Sequence, residues 1–134
     1  MSEAAPLLAP SLDDLAAIAQ IAFDELPAEV RRLTGEVAFR IEDFAEEEVL
    51  AGLGIEDPFG LTGLYSGIDL IRRSVLDPAP ETAMVFLYRR PILDEWAERG
   101  DVTLAELVRH VLVHEIGHHF GLSDDDIDAI EAAD

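Results

Sequence analysis

Polar and apolar positions along the chain divide it into helical stretches and a few short strands. Leu12, Leu15, Ile18, Ala22 and Leu26 recur at helical spacing, with Ser11 and Asp14 placed to form a capping box at the start. Pro27 fits the first turn of a second, short helix that Gly35 ends. Val37, Phe39 and Ile41 then alternate with Ala38, Arg40 and Glu42, the pattern of a half-buried strand. Glu46 to Leu53 reads as a short helix closed by Gly54. Gly60 to Gly67, GLTGLYSG, is rich in glycine and suits a thin strand at a sheet edge, from which Ile68 to Ile71 could return. Ala83 to Tyr88 is a continuous run of β-favouring residues and the best strand in the chain. Pro91 starts a helix that Gly100 stops.

The best-specified element follows. Thr103 and Glu106 form a second capping box, and Val102 can staple against Leu107. Leu104, Leu107, Val108, Val111 and Leu112 keep helical spacing, and Gly121 stands where a helix end needs a left-handed residue. The spacing predicts one helix over Leu104 to Phe120, and a last short helix from near Asp124. There are no repeats and no low-complexity linker, so residues 1–134 read as one domain, with 1–10 a loose lead-in.

Composition narrows the chemistry. The chain has no cysteine, which excludes disulfides, thiolate zinc sites and cysteine nucleophiles. Any metal must be held by His, Asp or Glu. Acids outnumber bases 29 to 9, for a net charge of -20, and every base is Arg. The Arg pairs at 31–32, 72–73 and 89–90 are scattered among acids, so no basic patch invites nucleic acid. Met1 to Pro10 contains no basic residue, unlike a secretory signal. No uncharged apolar run approaches the ~20 residues of a membrane span. A cytoplasmic protein with no membrane partner is expected; the oligomeric state is not legible.

All four histidines lie between positions 110 and 119, and His114-Glu115-Ile116-Gly117-His118 matches HExxH. Composition alone would produce that pattern about once in eighty such chains. Four residues advance a helix by ~400°, so His114 and His118 share a face ~6 Å apart along the axis. Both imidazoles can reach one Zn²⁺ at ~2.0–2.1 Å, and Glu115 can act as the general base on metal-bound water. A catalytic zinc site needs a third protein ligand and an open position. Asp124, ten residues after His114, is the candidate, as in HExxHxxGxxD peptidases. It can equally belong to the acidic N-terminus of the last helix, with Ser123, Asp125 and Asp126. His110, one turn before His114, suits a supporting contact or a core-edge position. His119 points ~100° away from His118 and suits a structural role.

The stretch Leu107 to Ile127, LVRHVLVHEIGHHFGLSDDDI, closely resembles the short bacterial zincin-like metallopeptidases, or minimal metalloprotease-like domains. The resemblance extends upstream to Gly63–Gly67 and Val85–Ile92 and covers most of the chain from Leu26. It implies a zincin-like α+β fold with a small mixed sheet beside the helix that carries HExxH. It makes His114, His118 and Asp124 zinc ligands and Glu115 the catalytic base. The expected activity is a zinc metallopeptidase acting on a peptide or protein substrate. Unlike metzincins, the chain has no Met after the third ligand position.

In the peptidase reading the glycine-rich edge strand could pair with an extended substrate, and Tyr65 or Arg89 could assist the oxyanion. Two alternatives remain open. A non-catalytic binding module could use zinc only to stabilise its fold. A metal-dependent endoribonuclease would share an HxxxH helix and a glycine turn, but Glu115 and the charge of -20 oppose it.

Overall fold

The computed structural model describes residues 8–66 and 83–132. The expected return over Ile68 to Ile71 lies outside them, as does most of the expected lead-in. The chain runs α1 (Leu12–Asp24), α2 (Ala28–Thr34), β1 (Val37–Glu42), α3 (Glu47–Leu53), a 3-10 turn at Pro58–Gly60, β2 (Gly63–Ser66), β3 (Ala83–Tyr88), α4 (Arg89–Arg99), α5 (Leu104–His119) and α6 (Asp124–Ala132). The architecture is α+β with a small mixed sheet, as the family resemblance implies.

The three strands form one mixed sheet in the order β1-β3-β2. β3 is central, parallel to β1 with Phe39 opposite Val85, and antiparallel to β2 with Tyr65 opposite Val85. Its continuous apolar run follows from that position, because both of its faces are covered. Ala83, Val85 and Leu87 pack into the main core with α1 and α5. Phe86 and Tyr88 face the opposite way, into a smaller cluster with Ala45, Leu50 and Leu64. Among the described residues β2 is a short edge strand, as its glycines suggested.

The local signals hold up well. Both capping boxes are formed, Ser11 with Asp14 and Thr103 with Glu106. Pro27 is the N-cap of α2 rather than a residue of its first turn. α4 begins at Arg89, two residues before Pro91. A proline within the first turn gives up an N–H that has no helical partner, so it fits a helix start without marking the first residue. Among the described residues no helix is long and apolar enough to cross a membrane.

Helix α5 is the hub. Leu104, Leu107, Val108, Val111, Leu112 and Ile116 bury one face against α1 and the sheet. On one flank β2 comes so close that a Cβ on Gly63 would lie 2.8 Å from Val111 Cγ1 and 3.2 Å from the Phe86 carbonyl oxygen. On another flank α6 folds back along α5. Gly121 makes that reversal at φ +70°, and Leu122 N–H closes it on the Gly117 carbonyl at 2.8 Å. A Cβ on Gly117 would lie 2.7 Å from Ile127, the buried anchor of α6.

Candidate metal centre

The candidate side chains are set out by the last two turns of α5 and the helix packed against them. His114 and Glu115 are half-buried, while His118 and His119 are exposed. The His114 and His118 rings stand 5.8 Å apart, centre to centre, at 87°. A zinc held at ~2.0–2.1 Å stands about 3 Å from the centre of each ligating ring, so these two can share one ion.

Glu115 has three influences on its carboxyl. Burial raises its pKa, the largest effect; the neighbouring His118 and a hydrogen bond from the backbone N–H of Tyr65 pull it back down. The Tyr65 bond follows from strand register. Tyr88 N–H donates to the Thr62 carbonyl at 3.0 Å, so in the antiparallel ladder the amides of Gly63 and Tyr65 face outward from β3. One of those edge amides is therefore spent on the α5 carboxylate.

Further back on α5 stands a second group. His110 Nδ1 meets Glu131 Oε1 at 2.5 Å, and His114 Nε2 lies 3.5 Å from Glu131 Oε2. The ring centres of His110 and His114 are 4.2 Å apart. One ligand atom from each of His110, His114 and Glu131 can be chosen so that all lie within 4.8 Å of one another. Glu131 was not singled out in the sequence. Its signal was its place four residues after Ile127, on the α6 face that meets α5.

Asp124 occupies the first turn of α6 and is exposed, outside the His110, His114 and Glu131 group. The capping contacts at that end belong to others: Asp126 N–H donates to Ser123 Oγ at 3.1 Å, and Ser123 N–H to Asp126 Oδ2 at 3.2 Å. The carboxylate that serves the cap is thus that of Asp126. Tyr65 is 7% exposed, and its ring packs 4.4 Å from His119 and 5.6 Å from Phe120. Arg89 bonds the Pro10 carbonyl at 2.6 Å and Asp43 at 3.1 Å, tying the start of α1 to the start of α4.

A helix bearing two histidines and a half-buried glutamate, flanked by the edge of a small mixed sheet, is the arrangement of a zincin. The model for the zincin-like metallopeptidase family matches residues 34–133, and the chain belongs to that family. No curated protein matches it. The donor set is chemically suited to zinc, since neutral imidazole and carboxylate are its common ligands where thiolates are lacking.

Proposed function

We propose that the protein is a zinc-dependent hydrolase, most simply a metallopeptidase, in which His114, His118 and Asp124 hold the metal and Glu115 is the general base. Glu115 carries this reading: a half-buried carboxylate, oriented by the Tyr65 N–H and next to His118, one residue from a ligand position. Raised proton affinity is what a base working near neutral pH needs, because it can then accept a proton and also return it. Bound zinc would supply a Lewis acid and a more acidic water. The chain's own contribution is to aim Glu115, to keep its environment partly dry and to present a substrate edge.

Family membership and the HExxHxxGxxD spacing support Asp124 as third ligand. The use of Asp126 for the helix cap is consistent with that role, since capping makes no claim on Asp124. An extended peptide fits β2, whose outward edge at Gly63 runs beside α5, by strand addition. The test is Glu115→Gln. It should keep zinc and lose hydrolysis of a broad peptide mixture by about 10²–10⁴-fold, the usual worth of general base catalysis. Cleavage at the wild-type rate would remove Glu115 from the mechanism.

A further inference from the structure

The contact between α5 and α6 carries donor chemistry that the HExxH reading leaves unused. We propose that His110, His114 and Glu131 form a second zinc register, which shares His114 with the HExxH pair and holds the ion in a non-hydrolytic position.

The three donors are already gathered, and an ion would take the place of the hydrogen bond between His110 Nδ1 and Glu131 Oε1. Two ligand atoms of a tetrahedral zinc lie about 3.3 Å apart when the bonds are ~2.0–2.1 Å. The 3.5 Å between His114 Nε2 and Glu131 Oε2 matches that edge, and His110 brings a third donor within 4.8 Å of both. His110 and His114 repeat the i, i+4 spacing of His114 and His118. The three side chains are 38%, 34% and 24% exposed, so an ion can enter and retain water. Glu131 is held from two sides. Arg109 donates to the Ile130 and Glu131 carbonyls at 3.0 and 2.9 Å, and Ile127 packs onto Gly117.

Sharing makes the two registers exclusive. A neutral imidazole has one unprotonated nitrogen, so His114 serves one ion at a time. Both positions lie ~2.0–2.1 Å from the one ligating nitrogen of His114, so an ion moved from the His114/His118 pair to the His110/His114 pair shifts by at most about 4 Å, toward the start of the helix. It also moves around the helix away from Glu115, which then has no activated water to deprotonate. An ion held in the second register therefore leaves the hydrolytic pair without its shared ligand. The effect on activity rests on the function proposed above; the second site itself does not.

Zinc titration of the metal-free protein, by calorimetry and by competition with a chromophoric chelator, tests it without any substrate. His118→Ala should still take one zinc per chain. Adding Glu131→Gln to that variant should weaken zinc by more than the roughly 10–100-fold typical of losing an outer partner of a metal ligand. Circular dichroism on both variants confirms that α5 and α6 remain helical. A folded His118→Ala protein that binds no zinc overturns the proposal, as does equal affinity with and without Glu131. The two readings fail separately. Zinc retained by His118→Ala, with no hydrolysis by the wild type, would spare the site and sink the function. Hydrolysis by the wild type, with a zinc-free His118→Ala, would do the reverse.

Discussion

Helix α5 has two tightly packed flanks, and they solve the same problem by different means. Each is brought in by a glycine where a methyl group would collide, Gly63 toward β2 and Gly117 toward α6. Each then delivers one polar group to the chemistry-bearing turns. The sheet flank gives a backbone donor, the Tyr65 N–H, to Glu115. The helix flank gives a side-chain acceptor, Glu131, to His110 and His114. A backbone amide in a paired strand has almost no freedom, whereas a glutamate has three side-chain torsions. The base is therefore aimed by the most rigid part of the fold, and the histidines by a part that can adjust.

That contrast can be broken from either side. Gly63→Ala should have the largest effect, about 1–3 kcal/mol of lost stability, because the added methyl meets Val111, Leu87 and a backbone carbonyl of the central strand. Chemical denaturation would measure it, and a loss at or below a few tenths would show that β2 can yield. Gly117→Ala should cost less. A similar overpacking penalty is offset by about 1 kcal/mol of improved helix propensity, and α6 can swing outward. Its signature is selective: the His110 and His114 side-chain resonances should shift as Glu131 withdraws, while Glu115 keeps its place. Equal disturbance of both flanks would contradict the division between them.

Thr103→Ala loosens α5 itself and should cost about 1 kcal/mol, the usual worth of an N-cap. Bonds from the Thr103 backbone and hydroxyl region hold the Glu106 carboxyl below its usual range. That contribution is present above the unfolded pKa of Glu106 and is lost as pH falls through the lowered folded value. The larger of these bonds comes from the Thr103 backbone N–H and survives the substitution, so both proteins should lose this contribution in acid and the penalty should stay nearly constant in melting curves across pH. Glu115→Gln should give the smallest change, a slight rise in melting temperature of the metal-free protein at neutral pH. Burial raises the Glu115 pKa, so its stabilising share is present below the unfolded value and is lost as pH rises through the folded one. The gap between variant and wild type should close in acid, where the carboxyl is protonated in both states. A variant that melts lower at neutral pH would mean the Tyr65 bond outweighs the desolvation.

Much of this was legible in the sequence because it is local. The boxes at Ser11 and Thr103, the left-handed Gly121 and the apolar run of β3 each depend on residues a few positions apart. The zincin-like fold came from the resemblance carried by Leu107 to Ile127, and the family match agrees. What could not be read is the register of one element on another. Nothing near Glu131 announces that it meets His110 and His114; that follows from Ile127 seating on Gly117 and from Arg109 reaching the end of α6. Likewise the run from Ser123 to Asp126 offers several acids for one cap, and only the folded geometry of that turn assigns Asp126 to it.

The strand order has a consequence for the chain as it leaves the ribosome. Among the described residues β1 and β2 both pair with β3 and not with each other, and both precede it. Until residues 83–88 emerge, two strands wait with unsatisfied edges, and such edges invite pairing with a neighbouring nascent chain. The first 82 residues carry 17 acids against 5 bases, so the growing chain meets its own copies with mutual repulsion during that interval. The acidity that argues against nucleic acid as a partner thus also guards the growing chain against itself.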